Sequence, residues 1–131
     1  MRRKYLNKKI NVDGITFDSQ KEYKRYLVLC KAQEDGVISN LDVHPSFCLL
    51  PNQYCKCEVK LKTKTKVVDK LVERSVTYSA DFVYFKNNEM VVEDVKISKY
   101  LMPQEFILKR KMMFFFYGIK LKLVFNPNDA I

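Results

Sequence analysis

Two β-rich runs, residues 76–85 and 90–97, are separated only by Lys86-Asn87-Asn88-Glu89, and they constrain this chain more than any other feature. A short polar connection between runs of β-branched and aromatic residues predicts a hairpin. Side chains two apart on a strand share a face, so Asp94 and Lys96 project together while Val91, Val95 and Ile97 point the other way. The same period turns Glu93 away from Lys96 and selects Asp94 as its partner. Asp81 lies on the preceding run, where the hairpin brings it alongside.

Two carboxylates converging on an open site offer hard oxygen ligands to Mg²⁺ or Mn²⁺. A neighbouring ammonium can orient a water or stabilise charge on a phosphate. An acidic-x-Lys triplet also occurs by chance, and by itself Lys96 reads more simply as the cation of a cross-strand salt bridge.

The rest of the chain supplies context. At 131 residues it has the length of one domain, and 47% hydrophobic with 13% aromatic residues points to a folded core rather than disorder. With no internal repeat and no Pro/Gly/Ser-rich linker, residues 1–131 read as a single domain. Lys and Arg number 24 against 15 Asp and Glu, a net charge of +9 that favours a polyanionic partner such as nucleic acid. The longest strongly apolar stretch, residues 112–119, is too short to span a bilayer. No apolar segment follows the basic start Met1-Arg2-Arg3-Lys4-Tyr5, so a cytoplasmic protein is expected. Cys30, Cys48, Cys55 and Cys57 contain no CxxC pair, and free thiols are a simpler reading than a zinc set with His44.

Residues 1–11 read as a basic arm, and Asp13-Gly14 marks a small hairpin turn. Ser19-Gln20-Lys21-Glu22 matches a capping box and opens a helix whose apolar stripe is Tyr23, Tyr26, Leu27 and Cys30, with Gly36 as its stop. Glu22 is therefore either a helix cap or a site residue. A strand follows over 47–50. Residues 52–74 form a basic loop or hairpin in which Lys60, Lys62, Lys64 and Lys66 alternate, which suits either a solvated face or contact with DNA. A second helix starts near Pro103, carries Lys109, Arg110 and Lys111, and ends at Gly118. Its run 112–117 is apolar nearly all round, which suits full burial or a dimer interface. Lys120–Phe125 alternates and reads as the last strand. The predicted order is α-β-β-β-α-β, an α/β layer architecture.

Phe17-Asp18-Ser19-Gln20-Lys21-Glu22-Tyr23, Tyr78-Ser79-Ala80-Asp81-Phe82-Val83-Tyr84, Val92-Glu93-Asp94-Val95-Lys96 and the helix with Lys109-Arg110-Lys111 together resemble the PD-(D/E)XK nuclease superfamily. More narrowly, they look like a phage-encoded family of small nucleases related to Holliday-junction resolvases. The resemblance implies a restriction-endonuclease-like core, a mixed central sheet flanked by helices. It makes Asp81 and Asp94 metal ligands, with Glu22 and the carbonyl of Val95 beside them, and Lys96 the lysine next to the nucleophilic water. It implies an Mg²⁺-dependent (or Mn²⁺-dependent) endodeoxyribonuclease acting on branched DNA as a homodimer in a host cytoplasm. Lys109, Lys111, Lys62 and Lys64 would then contact the DNA backbone. Ala80 departs from the proline that often precedes the first aspartate. The alternative is a non-catalytic DNA-binding recombination accessory protein that keeps the nuclease-like fold.

Overall fold

The structure, a computed structural model, describes residues 8–131. The elements run in the order β1 (Ile10–Val12), β2 (Ile15–Phe17), α1 (Gln20–Glu34), β3 (Ser39–Val43), β4 (Ser46–Leu50), β5 (Gln53–Lys60) and β6 (Thr65–Glu73). They continue with β7 (Val76–Ser79), β8 (Phe82–Lys86), β9 (Glu89–Val95), α2 (Gln104–Tyr117) and β10 (Lys122–Val124). The chain is a mixed α/β protein. Its contacts divide it into two compact units, one built from the residues up to Pro45 together with Ala80–Ile131, the other from Ser46–Ser79. Among the described residues no helix is long and apolar enough to cross a membrane.

The larger unit is organised by a four-stranded sheet in the order β10-β9-β8-β3. β9 runs antiparallel to β8 and parallel to β10, and β3 runs antiparallel to β8, so the sheet is mixed. The β8–β9 connection is made by Asn87 and Asn88 at φ 52° and 63°, the left-handed geometry of a tight two-residue hairpin. β1 and β2 pair around Asp13-Gly14, so the basic arm gives way to a strand at Ile10; its first seven residues lie outside those described.

Helix α1 starts as its capping signal predicts: the Ser19 hydroxyl accepts the Glu22 N–H at 3.2 Å. Its buried face is different. Glu22, Arg25, Leu29 and Ala32 are buried, while Leu27 is half exposed. The expected stripe of Tyr23, Tyr26, Leu27 and Cys30 is therefore rotated, with Tyr23 and Tyr26 packed at the border of a core formed by Phe17, Leu29, Ala32, Ile38, Phe82 and Tyr84. The rotation is explained by an ionic contact. Arg25 donates from Nε and Nη2 to the two oxygens of Glu93, each at 2.8 Å, in a fork geometry with both side chains out of solvent. The Tyr84 hydroxyl donates to the same carboxylate. Burial, then that bond to Glu93, holds the Tyr84 hydroxyl well above its ordinary range, so it remains a donor. The remaining Arg25 nitrogen, Nη1, reaches the Pro127 carbonyl at 3.1 Å, which fastens the segment after β10.

The predicted order of one helix, three strands, a helix and a strand is corrected in two places. Residues 76–85 are two strands, because the chain changes partners at Ala80–Asp81: β7 pairs with β4 in the smaller unit, and β8 pairs with β3 and β9 in the larger. Strand β3, Ser-Asn-Leu-Asp-Val, has little β-propensity and is extended by its pairing with β8. Of its two expected forms, loop or hairpin, the basic stretch takes the hairpin, β5 with β6, closed where the Leu61 N–H meets the Lys64 carbonyl at 2.8 Å. Helix α2 does begin after Pro103 and ends at Gly118, φ 67°. Its apolar run is not fully buried, however: Met113 is inside while Phe114, Phe115, Phe116 and Tyr117 are exposed.

Removing one member of a buried ion pair leaves the other uncompensated, at a cost of about 3–5 kcal/mol. Glu93→Gln should therefore lower the urea unfolding free energy by roughly that amount. The double change Arg25→Met with Glu93→Leu should cost far less than the sum of its single changes. Additive costs would show that the pair does not act as a unit.

Candidate metal centre

The site begins with strand register. Phe82 stands opposite Glu93 across β8–β9 and opposite Val43 across β3–β8. One step further along, Asp81 lies between Asp94 on one side and His44 on the other. Backbone bonds fix this row: the Asp81 N–H donates to the Glu93 carbonyl at 3.2 Å, and the His44 N–H donates to the Asp81 carbonyl at 2.9 Å. Ala80 is buried and its N–H reaches the Pro45 carbonyl at 3.1 Å. Glu22 arrives from the first turn of α1, held by the Asp18 N–H on Oε2 at 3.2 Å. Its other oxygen, Oε1, lies 2.7 Å from His44 Nε2.

Glu22, His44 and Asp81 each bring one ligand-type atom to within 4.8 Å of the others. Asp81 Oδ2 accepts the Val95 N–H at 2.7 Å, which aims the carboxylate toward the end of β9. Asp94 is nearly buried, and its Oδ1 lies 3.6 Å from Lys96 Nζ. The same ammonium sits 3.6 Å from the centre of the Phe106 ring, a cation–π contact that holds it without neutralising it. Lys21 Nζ bonds the Lys96 carbonyl at 2.8 Å, tying α1 to the end of β9.

This arrangement concentrates negative charge where water is scarce. Burial, followed by the charge and hydrogen bond of Asp94 and the charge of Glu22, pushes the Asp81 carboxyl up to about 9, against the opposing Val95 N–H. Burial also raises Glu22, with the His44 contact and the Asp18 N–H working the other way. Crowded carboxylates of this kind are relieved by a divalent cation. The donor set, oxygens with one imidazole, suits a hard or borderline ion such as Mg²⁺ or Mn²⁺.

The structure thus brings Asp81, Asp94, Lys96 and Glu22 into one neighbourhood, and gives Val95 a place there through its N–H. Glu22 serves both as a helix-start residue and as a member of the cluster. Lys109 lies on α2 and pairs with Glu105 at 3.0 Å, while Lys111 is exposed. Lys62 and Lys64 are exposed in the β5–β6 connection of the smaller unit. The four cysteines are free thiols. His44 is the site residue that sequence reasoning missed. Recognising β3 and its register with β8 is the signal that would have found it.

The fold and cluster define a mixed α/β protein with an acidic, histidine-bearing centre at one end of its sheet. The chain belongs to the family described as "protein of unknown function (DUF1064)", which matches residues 2–127. No curated protein and no solved structure matches it.

The raised Asp81 carboxyl has a consequence for stability. Below the ordinary value of 3.8 the group is protonated whether folded or unfolded and costs nothing, and the penalty then grows with pH up to about 9. Without divalent ions, Asp81→Asn should melt a few degrees above the parent chain at pH 7, and the gap should close as pH falls toward 4. Thermal unfolding in a chelator checks this; a lower melting temperature for the variant at pH 7 would contradict it.

Proposed function

We propose that this protein is a divalent-cation-dependent DNA endonuclease of the PD-(D/E)XK type, with a restriction-endonuclease-like core. The observation that carries the reading is the placement of Asp81 beside Asp94, with the Lys96 ammonium 3.6 Å from Asp94 and held over Phe106. In the motif order of that superfamily, Asp81 is the first acidic position, and Asp94 and Lys96 are the acidic-x-Lys pair. The departure at Ala80 has a local reason. Its N–H donates to Pro45, a bond that a proline could not make.

Asp81 and Asp94, with Glu22 and the Val95 carbonyl, would hold Mg²⁺ or Mn²⁺. Such a cation supplies Lewis-acid polarisation of the phosphate and lowers the cost of forming hydroxide. Lys96 orients the attacking water and stabilises charge on the phosphoryl oxygens. The water oxygen bonds to phosphorus as the opposite ester oxygen leaves, yielding one phosphate monoester and one alcohol. The net charge of +9 draws the DNA backbone in, and Lys109, Lys111, Lys62 and Lys64 are the cations proposed to contact it.

The proposed substrate is branched DNA of the Holliday-junction kind, cut by a homodimer in a host cytoplasm, as in phage-encoded resolvases. Symmetric cutting of a four-way junction needs two sites related by a twofold axis. The exposed apolar run Phe114–Tyr117 on α2 offers a surface for such pairing.

With Mg²⁺ or Mn²⁺, the purified protein should cleave a four-way junction in preference to linear duplex. Asp94→Asn and Lys96→Ala should each lower the rate by about a hundredfold or more. Should neither ion support cleavage, and should DNA binding be metal-independent and unchanged in Asp81→Asn, the protein is instead a non-catalytic DNA-binding recombination module.

A further inference from the structure

The proposed nuclease chemistry makes use of Asp81, Asp94, Lys96 and Glu22 but leaves His44 without a part. His44 is nevertheless the most deliberately placed side chain of the group. It continues the register row across β3, β8 and β9, directly beside Asp81. Its backbone adopts φ 56°, a region that non-glycine residues seldom occupy, and its N–H is fastened to the Asp81 carbonyl at 2.9 Å. Residues held in such conformations cluster at functional sites. The imidazole rests against Phe17, with ring centres 6.3 Å apart, and its side chain keeps 35% exposure. It is therefore oriented by its surroundings yet reachable from solvent.

Nε2 lies 2.7 Å from Glu22 Oε1, and one ligand atom each from Glu22, His44 and Asp81 lie within 4.8 Å of one another. An octahedral ion with bonds of about 2.1 Å spaces its ligand atoms about 3 to 4.2 Å apart. The three atoms can thus close on one ion with small side-chain shifts. Mg²⁺ favours oxygen ligands and surrenders its waters reluctantly, whereas imidazole suits later divalent metals, and Mn²⁺ accepts both donor types.

We propose that His44 Nε2 is a ligand of the cation held by Asp81 and Glu22, and that it makes this centre select Mn²⁺ over Mg²⁺. The inference rests on the proposed metal-dependent reading and names the metal that this site prefers. A purely structural role, in which His44 only positions Glu22, would leave the metal's coordination sphere free of nitrogen.

His44 is the sole histidine in the sequence, so a tag-free chain labelled with ¹⁵N-histidine has one imidazole to report on. Electron spin-echo envelope modulation on Mn²⁺-loaded protein should show coupling to a directly bound imidazole nitrogen. The coupling should change from ¹⁴N to ¹⁵N on labelling, a readout that needs no variant. His44→Gln should abolish it and weaken Mn²⁺ binding roughly tenfold or more, with a markedly smaller effect on Mg²⁺. Bound Mn²⁺ that depends on Asp81 and Asp94 but shows no imidazole coupling would overturn the role of His44 and leave the nuclease reading standing. Failure to bind Mn²⁺ at all would overturn both.

Discussion

The fork between Arg25 and Glu93 ties α1 to β9 inside the protein, and the site is built on the residues next to that tie. Glu22 precedes Arg25 by three residues on the same helix face, and Asp94 follows Glu93 on the same strand. Fixing the ion pair therefore fixes the distance between a helical carboxylate and a strand carboxylate. Alternation along β9 then separates the two tasks: Glu93 faces the helix and carries the structural charge, while Asp94 and Lys96 face away from it. Tyr84 and the carbonyls of Pro127 and Asp129 complete the bonding of the pair, so that neither charge is left unpaired in the interior.

The same placement sets a tension between stability and use. Asp81 is crowded by Asp94 and Glu22 and pays for it with a carboxyl raised to about 9, a poor arrangement for the protein by itself. The cost is meaningful if the group's partner is a cation brought from outside. Lys96 does not remove the tension, because its ammonium is shared between Asp94 and the face of Phe106. A cation that binds there only in the folded state would couple its occupancy to folding.

What was legible in the sequence was whatever had a local cause. Ser19 with Glu22 marked the start of α1, Pro103 and Gly118 bracketed α2, and Asn87-Asn88 marked the β8–β9 turn. Period two separated Asp94 from Glu93. What was not legible depended on distant partners. Arg25 reads as a solvated helix residue until Glu93, 68 positions away, is known to meet it. Residues 39–43 carry no strand signal of their own until β8 is known to pair with them. The break at Ala80–Asp81 reflects a change of neighbour that no propensity encodes. His44 was lost with β3, because only the register of that strand places it beside Asp81.

The central claim is that Asp81 and Asp94 jointly hold a divalent cation. Crystals grown with Mn²⁺ and measured at a wavelength where manganese scatters anomalously test it directly. The account predicts an anomalous peak bounded by the carboxylates of Asp81 and Asp94, with Lys96 beside it. An anomalous map with no peak there, at a concentration where manganese is seen elsewhere on the protein, would contradict it.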